Sequence, residues 1–361
     1  MINARKFSFN SMIAWYVIFL FYGYLSVIWA KSTNDATFYT NTFIQMLGCI
    51  ICITNRIKNK KDIDKYLNLI LISLIYTIIV LYIKTPPAAW GTERIGLEIG
   101  LHPNAIGFKF SMGVLIAIYF AISKKKYFYY ALAMIFMVVI LFSGSRKGLI
   151  MSILSIVLFP TLFLGRKKKT GKEFIRFIVI IALIIVSLIV VYYLVMNSEI
   201  FYNVIGKRFE SWIDDNDASV NERNYFAQKG IELFKSNPII GYGMNNFSSY
   251  MRVINYSHIT YSHNNFIEIL CTLGIVGFVI YYSMIFSISI KGIKLFVKNK
   301  SFNAQNLVLL LLFLIDIGTS WWGISYLSEF SAIIYTLAYM SVRINLEERI
   351  NEKNTITISK T

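Results

Sequence analysis

Uninterrupted apolar runs constrain this chain more than any other feature. A helix rises about 1.5 Å per residue, so crossing about 30 Å of hydrocarbon takes roughly 17–25 residues. Runs of that length recur along the 361 residues. Only 15% of the chain is charged, against about 25% in a soluble domain. The expected fold is an all-α polytopic transmembrane helix bundle of about ten spans. They are placed roughly at 11–30, 36–53, 66–83, 103–122, 127–143, 148–164, 174–196, 264–290, 305–322 and 327–342. The fourth starts at Pro103, which suits a first helical turn because no amide hydrogen is needed there. The first has a charged flank but no small-residue cleavage site, and reads as an anchor.

The formal charge of +17 raises nucleic acid as a partner, but its distribution argues otherwise. Most of the 36 Lys and Arg fall into one set of alternating segments, including Arg56–Lys65, Lys124–Lys126, Arg166–Lys172 and Lys291–Lys300. That bias is the positive-inside signal, and it puts both termini in the cytoplasm. Three cysteines exclude a disulfide scaffold. Cys49 and Cys52 form a C-x-x-C in an apolar run, and Cys271 lies in another; all three are expected to be small buried hydrophobes.

Four segments follow: 1–196 with the first seven helices, a large extracytoplasmic loop at 197–263, the last three helices at 264–342, and a cytoplasmic tail at 343–361. The large loop carries helical signals. Ser219-Val-Asn-Glu222 reads as a capping box, Tyr225, Phe226, Leu233 and Phe234 give an apolar stripe, and Pro238, Gly241 and Gly243 end the helix.

The chemistry-bearing residues gather on the outer side. His102, His258 and His263 all fall in outer loops beside span ends, either as a site or as interfacial histidines that satisfy backbone groups. Arg94, Arg146, Arg208, Arg223 and Arg252 run against the charge bias. Arg146 sits in Ser143-Gly-Ser-Arg-Lys147, a very short connection at headgroup level. An arginine there either grips phosphate oxygens bidentately or snorkels to bulk lipid. His102 and Asn104 flank a helix start, whose unbonded amides favour an anion. His263 lies at the mouth of the eighth span, with Glu268 facing the interior just over a turn further on and with Gly274 and Gly277 allowing close helix packing. Lys109, Asp316 and Glu268 are ionisable groups inside spans, where charge is costly and turns to a partner or cavity. Lys109 and Asp316 are expected to pair or to line a groove. Asp214, Asp215 and Asp217 read as a solvated turn rather than a metal site. Outer aromatics such as Trp90, Trp212, Tyr242, Tyr250, Tyr256 and Tyr261 read as sugar platforms or as an interfacial belt; so do Trp321 and Trp322.

The order of His102-Pro-Asn104, Gly144-Ser-Arg146, Arg223, Asn237-Pro-Ile-Ile-Gly-Tyr-Gly243 and His263-Asn264 with Leu273-Gly-Ile-Val-Gly277 resembles the O-antigen ligase and Wzy-type polymerase family. The resemblance spans roughly 90–285. It implies a bacterial inner-membrane glycosyltransferase acting on polyprenyl-pyrophosphate-linked glycans at the outer face. Arg146 and Arg223 then match arginines that grip the donor pyrophosphate, and His263 matches the histidine needed for transfer. Asn264 follows His263 in the motif, Arg94 joins the donor-binding set, and His102 and Asn104 match a motif with no fixed role. The family commonly has about twelve spans, against about ten here.

A lipid-linked pyrophosphate is already a good leaving group. Two arginines at a low-dielectric boundary stabilise it without metal or cofactor, and a neutral histidine serves as general base. The expected activity is polymerisation of repeat units into capsule or O-antigen. Ligase-type transfer to a lipid acceptor is the alternative, and a glycan-lipid flippase the alternative of another class, although no internal repeat supports it. Membrane lipid, a chain-length regulator and a flippase are the expected partners.

Overall fold

A computed structural model describes residues 7–86, 89–90, 94–165, 193, 197–199, 202–206, 210, 218–253, 260–298 and 303–358. Among these it is helical without strands. The helices are α1 (Ser11–Ser26), α2 (Thr33–Arg56), α3 (Lys60–Lys84), α4 (Pro103–Lys124), α5 (Phe128–Ser143), α6 (Arg146–Gly165), α7 (Ala218–Ser236), α8 (Phe247–Val253), α9 (Asn265–Lys298), α10 (Ala304–Thr319) and α11 (Glu329–Ile358). Among the described residues, six helices are long and apolar enough to cross a membrane: α2, α3, α4, α6, α9, and α10 with the short turn after it. α1 and α5 are apolar but have only 16 residues each, about 24 Å of rise. The expected seventh span falls outside the described residues save Tyr193, as do His258, Arg208, Trp212, Tyr256, Asp214, Asp215 and Asp217.

The helix that holds the last expected span does not stop near 342. It runs on to Ile358, because residues 343–358 hold neither Gly nor Pro, and Arg343 bonds Glu347 one turn on at 2.7 Å.

The chain divides into two compact units. The first comprises 1–63, 218–300 and 313–361; the second comprises 64–217 and 301–312.

In the first unit α1 packs on α2 and α9, and α11 packs on α2 and α9. Side-chain donors reach main-chain carbonyls across these seams: Trp15 Nε1 to Ile280 at 2.7 Å and Tyr22 to Leu273 at 2.9 Å. α7 lies along α9, and Phe226, Phe247, Met251 and Cys271 form a buried cluster with Leu233 and Phe234 against it. Three of the four residues of the expected stripe are therefore seated. Tyr225 is not: one residue is about 100° around a helix, and with Phe226, Gly230 and Leu233 defining the packed face, Tyr225 turns outward, 42% exposed.

α9 is not one continuous helix. Gly274 has φ 65° and ψ −171°, which breaks the i to i−4 ladder and strands main-chain groups on both sides. The Pro238–Gly243 segment takes them up. Tyr242 and Gly243 donate to the carbonyls of Cys271 (3.1 Å) and Thr272 (2.7 Å), while Ile275 and Val276 donate to those of Pro238 (2.8 Å) and Ile239 (3.2 Å). Backbone meets backbone here, so a Cβ on Gly241 would lie 2.5 Å from Thr272, and one on Gly274 would run into the Ile239 carbonyl. This corrects the expected role of Gly274: it serves a break and a docked loop rather than helix-on-helix packing. Gly277 keeps the expected role, with the Tyr22 ring 3.0 Å from where its Cβ would be.

In the second unit α4 is the centre, packed on both α5 and α6, and its residues 110–121 are continuously buried. α4 and α6 touch at glycines: a Cβ on Gly148 would lie 2.6 Å from the Gly107 main chain.

The cysteines divide. Cys271 is buried as expected, whereas Cys49 and Cys52 are exposed on α2. The apolar residues beside them, not the thiols, face the packed side of that helix (Met46, Ile50 and Ile53 are buried).

Candidate functional site

In the first unit, α7 brings Arg223 and Phe226 beside the approach to α9. His263 sits there with φ 57°, a left-handed conformation that costs a non-glycine residue about 1–3 kcal/mol and marks functional turns. The turn is held from both sides. Ser262 donates its amide to Glu268 Oε2 at 2.7 Å, and its hydroxyl donates to the Asn264 carbonyl at 2.9 Å. Asn264 Oδ1 accepts from Phe266 and Ile267 at 2.9 and 3.1 Å, which makes it the cap of α9. Its Nδ2 reaches the Trp321 carbonyl at 3.2 Å. Next along, Asn265 Oδ1 accepts the Ser325 and Tyr326 amides.

The His263 ring lies between two aromatics, 4.1 Å from the Tyr261 centroid and 5.8 Å from that of Phe226, nearly parallel to the latter. Burial pushes the Tyr261 hydroxyl above its ordinary pKa, with the Arg223 guanidinium working against that shift and the Glu268 carboxylate adding to it. Arg223, Tyr261, His263 and Glu268 therefore form one neighbourhood. The carboxylate is fully buried, as the sequence led us to expect. Asp316 is equally buried in the same unit and accepts from Ser331 at 2.8 Å.

In the second unit the other motifs meet. Gly144 closes α5 with φ 60°, and Ser145 opens α6 by accepting from the Gly148 amide at 3.2 Å. Arg146 is thus the first residue of α6. A Cβ on Gly107 would collide with Ser145, so the start of α6 lies against the first turns of α4. His102 is the cap of α4, its Nδ1 accepting from the Asn104 amide at 3.1 Å. Arg94 bridges the two helix ends, donating to the Ser143 carbonyl and to Asn104 Oδ1, both at 2.8 Å. His102-Pro-Asn104 and Gly144-Ser-Arg146 are therefore neighbours, joined through Arg94. Lys109 is half-buried one turn further along α4.

Three participants have contacts that sequence reasoning did not supply. Ser262 lies six residues before Glu268, a spacing that matches no helical or turn rule. Phe226 read only as part of a core stripe. Trp321, 61% exposed and 5.8 Å from the Phe266 ring, is 57 residues from the asparagine that reaches its carbonyl.

Several long apolar helices, with polar side chains collected at helix starts, define a multi-pass helical membrane protein. Residues 129–282 match the family model described as O-antigen ligase. That stretch is an O-antigen ligase family domain, in the O-antigen ligase/Wzy-type family that the motifs resembled. It takes in Arg146, Arg223, His263, Asn264 and Glu268, whereas Arg94, His102, Asn104, Lys109 and Asp316 lie outside it. A comparison with curated proteins gives no match. The family makes glycan transfer from a lipid-linked substrate in the membrane the general activity.

Proposed function

We propose that this protein is a polymerase that joins polyprenyl-pyrophosphate-linked oligosaccharide repeat units into a bacterial surface polysaccharide, capsule or O-antigen. It acts at the outer face of the cytoplasmic membrane, crossing it about ten times with both termini inside. The observation that carries the reading is the His263 turn, an imidazole held in a costly conformation next to Arg223.

In the reaction an acceptor sugar hydroxyl attacks the anomeric carbon of the donor. His263 takes the hydroxyl proton as the new glycosidic bond forms. The bond from that carbon to phosphate oxygen breaks, and polyprenyl pyrophosphate leaves with its negative charge. Arg223 faces the departing phosphates, where a planar fork suits bidentate capture. Arg146, at the first turn of α6, binds phosphate oxygens with the support of Arg94, His102 and Asn104. Asn264 contributes by fixing the His263 turn. Lys109 and Asp316 are supporting charges. A chain-length regulator and a flippase are the partners this activity requires.

The family description favours a second reading, ligase-type transfer of a finished glycan to a lipid or other acceptor. Purified protein with a synthetic polyprenyl-pyrophosphate oligosaccharide separates them. Products of increasing repeat number are expected. Transfer only to an added lipid-core acceptor makes it a ligase. Glycan lipid crossing the bilayer with no new glycosidic bond makes it a flippase.

A further inference from the structure

Glu268 is a buried ionisable group of the first unit that the reaction above leaves without a task. It is 0% exposed, and burying an ionisable group in hydrocarbon needs a return elsewhere. Its Oε2 accepts from the Ser262 amide, and its Oε1 has no hydrogen-bond partner among the described residues. A carboxylate placed only to stabilise packing would be expected to have both oxygens bonded. This one is aimed at Ser262, the residue immediately before His263, whose amide and side chain both face it.

We infer that Glu268 is a positioning residue: by accepting the Ser262 amide it locks the left-handed turn that presents the His263 ring between Tyr261 and Phe226. The inference rests on the reading of His263 as the proton acceptor. The short N-terminal part of α9 makes the device rigid. It runs only from Asn265 to the break at Gly274, capped at one end by Asn264 and clamped at the other by Pro238–Gly243. Glu268 stands on that short segment, so its carboxylate is a fixed point rather than a swinging arm. Releasing Ser262 from it lets residue 263 relax from φ 57° towards the commoner regions, carrying the ring off its two aromatic neighbours. A displacement of about 1 Å at a reacting group is enough to cost roughly a hundredfold. What the turn needs is an acceptor at Oε2 rather than a negative charge, and glutamine supplies one.

The test uses the full-length protein in detergent or nanodiscs, with the synthetic polyprenyl-pyrophosphate oligosaccharide as substrate. Glu268→Leu is expected to lower kcat by about a hundredfold with donor KM within about threefold, and Glu268→Gln to stay within about threefold of the unmodified protein. Ser262→Ala, which removes the hydroxyl bond to Asn264 and leaves the carboxylate in place, loosens the same turn and is expected to cost about tenfold in kcat. In a His263→Gly background, added imidazole restores part of the rate. Because free imidazole needs no tether, adding Glu268→Leu or Ser262→Ala leaves that restored rate unchanged. Loss of the restored rate in the double variants overturns the inference, as does full activity of Glu268→Leu, or a Glu268→Gln as inactive as Glu268→Leu. A readout without turnover separates this from the functional reading: the histidine NMR resonance that vanishes in His263→Ala should shift and broaden in Glu268→Leu and hold in Glu268→Gln. If the unmodified protein transfers no glycan while that resonance behaves as expected, the functional reading falls and the positioning role stands. If the resonance ignores Glu268, the positioning role falls.

Discussion

The chain opens two of its helices with a histidine and an asparagine close together, and it uses them in opposite ways. At α4 the histidine is the cap: His102 spends its Nδ1 lone pair on the Asn104 amide, and Asn104 in turn accepts from Arg94. At α9 the asparagine caps instead, bonding two amides with one oxygen. The histidine before it is left to stand outside the helix with φ 57°. At α4 one ring nitrogen of the histidine is committed to a backbone amide. At α9 the neighbouring asparagine has taken over the capping, and the proposed reading gives the histidine there the proton. The same two residue types at a helix start thus say nothing about chemistry until one knows which of them holds the amides.

The contrast is most exposed to measurement at the histidines. His263→Ala should lower the rate of glycan transfer by about 10²–10⁴-fold, the span of a lost general base. His102→Asn, which keeps a capping oxygen, should leave the rate within a few-fold. Equal losses in purified protein would erase the difference between the two helix starts.

The glycines behind the two sites give the next effect. Gly274→Ala meets both a left-handed backbone and the Ile239 carbonyl, and should destabilise the first unit by about 2–5 kcal/mol. Gly148→Ala meets only the close approach to Gly107, and should cost about 1–3 kcal/mol. Denaturant unfolding followed by tryptophan fluorescence reads both. A Gly274→Ala protein as stable as the unmodified chain would mean that α9 is not broken there.

Smallest is the cap itself. Asn264→Ala should cost about 1 kcal/mol and Asn264→Asp almost nothing, while His102→Ala at the other start should cost about the same as Asn264→Ala. Thermal melts of the four proteins would show whether the two caps are equivalent as caps, which the comparison requires.

Much of the fold was legible because the bilayer leaves a spanning chain few options. The apolar runs located most of the helices, and Pro103 fixed the start of α4 to the residue. Ser143-Gly-Ser-Arg was legible as a tight connection, though not the division of labour within it, with Gly144 ending one helix and Ser145 starting the next. The helix of the last expected span continues into the tail, because hydropathy falls at Arg343 while helix propensity does not. The packed face of α7 was readable from Phe226, Leu233 and Phe234, and Tyr225 was misplaced by counting one residue too many into the stripe. The break at Gly274 was invisible. A glycine in an apolar run reads as a packing surface, and only the main-chain groups of Pro238–Gly243, more than thirty residues earlier, reveal that it is a break between two unequal helical segments.

Periodicity, hydropathy and charge bias are local quantities, and they sufficed to make this a helical membrane protein with imidazole and guanidinium groups at helix starts. Which amide each polar side chain would hold is a non-local question. Ser262 meets Glu268, Asn264 meets Trp321 and Gly274 meets Ile239 only after the helices have packed. A hydrogen bond needs its partners within about 3 Å, and no spacing rule along a chain supplies that distance. Tertiary structure therefore decided that His102 caps α4 whereas Asn264, and not His263, caps α9.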